Sequence, residues 1–375
     1  MRIEFGDIKL DEKAREYLMH CLKTNWISGG PKVKKFEEEW GKLFDYKHNI
    51  AVYSGTGGDI GACKALYDFG AKRGDEIIAP ALAFAAVGEA ILQAGFTPVF
   101  VDIERETLNI NPRKIEEKIT PKTRAIIAVH TMGKPCDMDT ITTIAKKNNL
   151  MIIEDACEAH GAKYKGKFIG HWGEMAVFSY YIAHLICCGE GGMISTNEKK
   201  IAEVLESIRS HGRKGGQLYF DHERLGTNLK MNDMEAAIGL SQIGKFWDIF
   251  NKRKENLYYL IEKTKDLEKY AFFNTEGKDE VVCAHAFSVT LKDPKYNCAA
   301  LYKFLEDNSI KCKRNFGSMP TQHKAFAFLG KKLGDFPEAE YVGDNGLHFG
   351  CHQYLSRDDL DYISEKLHEY FKKFS

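Results

Sequence analysis

The chain has 375 residues, 44% hydrophobic and 28% charged, the balance of an ordinary folded enzyme. Its 53 Lys and Arg residues match 53 Asp and Glu residues, so no net charge draws it to nucleic acid or to an anionic membrane surface. Charges run through the first twenty residues and no apolar run reaches bilayer length, so neither a signal peptide nor a membrane span is expected and the reading is cytoplasmic. The ten cysteines show no C-x-x-C or C-x-C spacing. That argues against zinc and iron–sulfur frameworks, so no metal is expected.

In chain order, NIAVYS at 49–54 predicts a strand, and the stretch to residue 74 a helix with a glycine end. DEIIAP (75–80) predicts a strand, LAFAAVGEAILQAG a helix, and TPVFVDI (97–103) and RAIIAVHT (124–131) two strands. MDTITTIAKKNNL predicts a helix, and MIIEDA (151–156), EMAVFSY (174–180) and GGMISTN (191–197) three more strands. Alternating strands and helices imply crossovers and a mostly parallel sheet covered on both faces. From about residue 233 the periodicity predicts one long helix through NDMEAAIGLSQIGKFWDIFNKRKENLYYLIEKT. Separated strand signals (VVCAHAFSVTL) and further helices (CAALYKFLEDN, RDDLDYISEKLHEYFKKF) follow, as in a smaller α/β unit.

Four segments carry chemistry. SGTGGDI (54–60) follows a strand and opens a helix, where backbone N–H groups can cradle a phosphate. Alone it is equally an ordinary strand-to-helix turn. Asp155 in EDACEAHGA lies at the carboxyl end of an apolar strand, where α/β sheets place ligands. A carboxylate there can keep a pyridine nitrogen protonated, although a capping Asp would look the same. FSYYIAHLICCGEGGM puts Ser179 at a strand end and a glycine turn after His184, and GTNLKMNDMEAAIGL opens the long helix.

In this order the four segments resemble one family, the sugar aminotransferases and dehydratases that use pyridoxal phosphate on the aspartate-aminotransferase fold (fold type I). NWISGGPKVKKFEEEW and GDEIIAPALAF extend the resemblance over nearly the whole chain. It implies an α/β fold with a mostly parallel seven-stranded sheet in a large domain, residues 1–245. A smaller C-terminal α/β domain, residues 246–375, would follow, with the N-terminal segment packed on it. It implies pyridoxal or pyridoxamine 5'-phosphate as cofactor, with Thr56, Gly57 and Ser179 at the phosphate and Phe84 stacked on the ring. Asp155 would pair with the pyridine nitrogen, Glu158 would lie beside the cofactor, and Asn228 would reach the phosphate across a homodimer interface.

At the fifth position after Ser179 the aminotransferases of this family carry the lysine that bonds covalently to the cofactor. This chain carries His184. An imidazole cannot make that bond, but it moves protons near neutral pH. His184 therefore resembles the residue of the nucleotide-sugar 3-dehydratases, such as those acting on GDP-4-keto-6-deoxymannose. Glu158 and Gly350-Cys351-His352-Gln353 are similar to that subset. Ala183, Phe84 and SMPTQHKAF (318–326) depart from it. The expectation is a lyase that removes the 3-hydroxyl of a nucleotide-linked 4-keto-6-deoxy sugar, with His184 as base and glutamate as amino donor. Two alternatives stay open: a nucleotide-sugar aminotransferase, or a lysine-to-histidine variant of one; and a catalytically decayed cofactor-binding regulator. His130 and His160 read as structural, and His211 as a surface or site-neighbouring residue.

Overall fold

The computed structural model describes residues 3–214 and 221–374. Nine strands occupy the first two thirds: β1 (His48–Val52), β2 (Glu76–Pro80), β3 (Thr97–Val101), β4 (Thr123–Val129), β5 (Met151–Asp155), β6 (Lys163–Tyr164), β7 (Lys167–Phe168), β8 (Met175–Ser179) and β9 (Gly192–Thr196). Five follow: β10 (Ala271–Phe273), β11 (Glu280–Val281), β12 (Ala286–Leu291), β13 (Cys312–Arg314) and β14 (Gly346–Gly350).

All seven predicted strands of the first part form one sheet, in the order β1-β9-β8-β5-β4-β2-β3. Strands β8, β5, β4, β2 and β3 run parallel, and β9 runs antiparallel to both β8 and β1. Side chains alternate across a strand, so each apolar run divides between two cores. Ile77, Ile127, Ile153 and Val177 pack on one face, and Ile78, Ile126, Ile152 and Ala176 on the other. Burial on both faces explains why these strands read as continuous apolar runs rather than alternating ones.

The second sheet, β10-β12-β14-β13, is antiparallel. It shares a separate core with the helices Phe246–Lys263, Cys298–Asp307 and Arg357–Lys372, and Ile3 packs into that core. Ile3 also forms a β-bridge with Ile310. A third, three-stranded sheet joins β11 to the β6–β7 hairpin.

One predicted element divides. The long helix is two, Asp233–Ile243 and Phe246–Lys263. Gly244 and Lys245 break it, and glycine is the residue that favours helical backbone least among the non-proline types. The strand signals in VVCAHAFSVTL are separate, as expected: they fall in β11 and β12, and between them Cys283 leaves the ladder and donates its N–H to Gly133 O. Asp233 begins the first of these helices and also caps the helix Pro31–Phe44, accepting from Gly30, Lys32 and Val33 N–H groups. Gly30, at the cap, has no side chain to do so. Among the described residues no helix is long and apolar enough to cross a membrane.

Candidate active site

A cavity of about 760 Å³ opens at the carboxyl ends of β4, β5 and β8, beneath the edge of the second sheet. Parallel α/β sheets place ligands at such an edge. Its floor brings together Thr56, Asp155, Glu158, Ser179 and His184, with Phe84 at the rim.

One end of the cavity is built on the helix Gly55–Ala65. Ser54 caps it, accepting from the Gly57 N–H at 3.0 Å. A Cβ at Gly55 would lie 2.7 Å from Ser179 Cβ and 3.0 Å from Cys157 Sγ. A Cβ at Gly192 would lie 2.6 Å from the Ser54 carbonyl carbon. These two glycines let the helix N-terminus sit directly on the ends of β8 and β9, with its positive end facing the cavity. Gly55 and Thr56 line the cavity, whereas Gly57 does not and its N–H is already engaged by Ser54. Asn228 is exposed and outside the cavity of its own chain, its side-chain oxygen 3.4 Å from Lys230 N.

Phe84 is 64% exposed and meets Phe316 edge-on, at 6.0 Å between ring centroids. Asp155 is buried and accepts from Cys157 N–H at 3.1 Å. Burial pushes its carboxyl upward, the state of an acid that lacks a cationic partner. A protonated ring nitrogen is such a partner.

His184 sits in the turn after β8, its N–H on Tyr181 O and its Nδ1 buried without a hydrogen-bond partner. Burial, and then the positive charges of Arg253 and Lys313, push its imidazole down to about 3. The ring is therefore neutral at physiological pH and free to accept a proton. An anionic ligand beside it would raise its proton affinity. Its ring lies 5.1 Å from that of His285 and 5.8 Å from that of His160.

Sequence reasoning missed several groups. Phe5, His285, Lys313, Arg314 and Asn315 reach the cavity from the N-terminal segment and the second sheet, and no local motif marks them. Arg253 lies behind the His184 turn and donates to the carbonyls of Ala183 and His184, both at 3.3 Å, and to Gln353 at 2.8 Å. Asp59 lies within SGTGGDI, an acid on a helix made mostly of small and apolar residues. His130, read as structural, lines the cavity with its Nε2 on Glu154 and its Nδ1 accepting from Cys136 N–H. His160 packs among Trp40, Phe178 and Tyr180. His211 is exposed and outside the cavity.

Glu158 accepts from Met132 N–H at 2.6 Å and lies 3.3 Å from His285 Nε2. Burial pushes its carboxyl up to about 8 and holds His285 well below its usual range. The two form a neutral pair at physiological pH. This has a measurable consequence. From the ordinary Glu value of 4.5 up to about 8, the unfolded chain releases a proton that the folded chain keeps, so stability falls as pH rises through that window. Glu158→Gln is expected to flatten this fall and to leave the cofactor-free protein a few kcal/mol more stable than wild type near pH 8, at up to ~1.4 kcal/mol per pH unit. Thermal melts from pH 4.5 to 8.5 check it; parallel curves for the two proteins would contradict the neutral pair.

A model of the DegT/DnrJ/EryC1/StrS aminotransferase family matches residues 8–368. The chain belongs to this family. It is 39% identical over 367 residues to a GDP-perosamine synthase of Caulobacter vibrioides, covering 96% of each chain. It is 30% identical over 367 residues to a GDP-4-keto-6-deoxy-D-mannose 3-dehydratase of Yersinia pseudotuberculosis, covering 92% of each. Among solved structures, an Escherichia coli GDP-4-keto-6-deoxy-D-mannose 3-dehydratase with bound hydrated PLP superposes with a TM-score of 0.89 at 28% identity, over 98% of this chain and 99% of that one. The fold is the PLP fold type I, and the cofactor is pyridoxal or pyridoxamine 5'-phosphate. The residues present fit that group: a buried carboxyl group without a cation, a helix N-terminus with hydroxyls beside it, and an exposed aromatic ring at the rim.

Proposed function

We propose that the chain is a 3-dehydratase of a nucleotide-linked 4-keto-6-deoxy sugar, with His184 as its proton-moving residue. The observation that carries this reading is a neutral imidazole at the turn after β8, at the position where the family's aminotransferases bond their cofactor through lysine. When bound, the cofactor supplies a primary amine for the sugar carbonyl and a ring that accepts electrons.

The chain's own residues do the rest. Thr56, Ser179 and the N-terminus of the helix Gly55–Ala65 hold the phosphate, with Gly57 acting through the Ser54 cap. Phe84 covers the ring, and Asp155 holds the proton of the pyridine nitrogen. Glu158 borders the cofactor as a protonated carboxyl. His184 would accept on its imidazole the proton given up by the amine-bearing carbon of the bound cofactor and deliver it to the hydroxyl leaving sugar carbon 3, which would depart as water. Water then releases a 3-deoxy-4-keto sugar and ammonia, and glutamate is the donor that restores the amine. Lys313 and Arg314 on β13 line the cavity, and positive charge there suits the pyrophosphate of a nucleotide sugar.

Asn228 lies outside its own cavity, and Trp26, Ile27 and Leu225 expose apolar side chains. Both features support a homodimer in which Asn228 serves the partner's phosphate site. We place the division into two domains at residues 245 and 246, and the protein in the cytoplasm.

Transamination is the second reading, favoured by the 39% identity to a GDP-perosamine synthase. The test is to incubate the pyridoxamine phosphate form with GDP-, dTDP-, CDP- and UDP-linked 4-keto-6-deoxy sugars, measuring ammonia and product mass. Ammonia with a 3-deoxy-4-keto product is expected from one of them. A stable 4-amino sugar without ammonia would establish transamination instead.

A further inference from the structure

Asp59 is an acid that the roles above leave unused. It lies within the helix Gly55–Ala65, is 2% exposed and lines the cavity. Its Oδ1 is buried with no hydrogen-bond partner. Side-chain ligand atoms of Asp59, Asp155 and Cys157 all lie within 4.8 Å of one another. A residue on an interior helix face beside a packed sheet is ordinarily apolar, and an unpartnered carboxylate there is destabilising unless something offsets it.

We propose that Asp59 is a positioning residue for the cofactor's ring nitrogen: it shares one proton with Asp155, so that a pair of carboxyls, not one carboxylate, faces the pyridine.

Two adjacent carboxyls in a buried site cannot both ionise cheaply, so one keeps its proton. Burial first, and then the charge of Asp155, holds the Asp59 carboxyl well above its usual range. The other titratable groups facing it do not relieve this. Cys157, beyond the end of β5, and Cys63, one turn along its own helix, are both held up as neutral thiols. His130 acts on Asp155. In the cofactor-free protein the pair therefore holds a proton that would otherwise be lost. With a pyridinium bound, Asp59 and Asp155 hold the ring proton together: protonated Asp59 steadies Asp155, and as pH rises Asp59 ionises and strengthens the pull on the ring nitrogen. The ring proton then persists to higher pH than a single carboxylate allows. This rests on the assignment of Asp155 to the ring nitrogen, and the experiment separates the two.

The holoprotein is loaded with pyridoxamine phosphate labelled with 15N in the ring, and the nitrogen shift is followed from pH 5 to 10 in wild type, Asp59→Asn and Asp155→Asn. The expected result is a ring nitrogen that titrates about one pH unit or more lower in Asp59→Asn than in wild type, about tenfold in proton affinity, and lower again in Asp155→Asn. Equal titration in wild type and Asp59→Asn, with Asp155→Asn shifted, would overturn the role of Asp59 alone. No shift in Asp155→Asn would overturn the assignment of Asp155 as well. Asp59→Leu provides the same measurement should Asp59→Asn fail to fold. A second readout uses the cofactor-free protein: wild type is expected to lose thermal stability as pH rises above the ordinary carboxylate range, and Asp59→Asn to lose less. Stoichiometric retention of Zn2+ or Mg2+ by cofactor-free wild type, abolished in Asp59→Asn, would show a cation site and overturn proton sharing.

Discussion

On the proposed dehydratase activity, His184→Lys is expected to lower dehydration steeply while gaining a covalent cofactor. The environment that burial and the charges of Arg253 and Lys313 impose on the imidazole would act on an amine in the same direction. A desolvated lysine beside positive charges loses its proton and becomes a nucleophile. It would therefore arrive at this turn ready to bond the aldehyde of pyridoxal phosphate. Borohydride treatment should then fix the mass of the reduced cofactor on residue 184, where the wild type fixes none. Dehydration should fall by about 10²- to 10⁴-fold, the usual range for loss of a positioned acid–base group. An attached cofactor also competes with the free amine that the dehydration needs. The checks are an intact-mass measurement and the ammonia assay with whichever nucleotide sugar the wild type accepts. Retained dehydration in the lysine variant would remove His184 from the chemistry.

The sheet was legible because its apolar runs are long, β-branched and punctuated. IIAP, AIIAV and MIIED are short, rich in β-branched residues and bounded by turn signals, which favours strands buried on both faces over helix segments. The helix break at Gly244 was less legible, because the apolar period continues through Gly244 and Lys245 and only the backbone preference of glycine interrupts it. The site was legible where chemistry sits beside a strand end: Thr56, Asp155, Ser179 and His184 each lie within a few residues of β1, β5 or β8. It was illegible where residues arrive by tertiary packing. His285 and Lys313 meet Glu158 and His184 only because the antiparallel sheet closes over the parallel one. Gly57 shows a further limit. A motif places a residue near a phosphate, but whether its N–H is already used depends on a cap, here Ser54, that the motif does not encode.

Arg253→Met is expected to leave a folded protein with a greatly weakened site. Arg253 is 1% exposed, and the hydrogen bonds of its guanidinium among the described residues go to neutral acceptors. Its partners are two carbonyls of the His184 turn and the Gln353 side chain. Burial lowers its proton affinity, yet a guanidinium remains charged. A buried charge so poorly compensated contributes little to net stability. Methionine removes that charge while filling much of the volume, but leaves three acceptors without donors, at about 1–3 kcal/mol each. The two effects oppose, so a net loss of about 1–4 kcal/mol is expected, small enough for the fold to persist. The turn suffers more than the fold. Its two carbonyls lose the fork that joins them to Gln353, and a misplacement of about 1 Å in a catalytic group costs about 10²-fold in rate. Dehydration should therefore fall at least that far, while circular dichroism and the melting transition stay cooperative. Arg253→Lys separates charge from geometry: an ammonium keeps the charge but lacks the planar fork, so its activity should lie nearer to Arg253→Met than to wild type. Full activity in Arg253→Lys would mean that Arg253 acts as a positive charge beside His184 rather than as the brace of its turn.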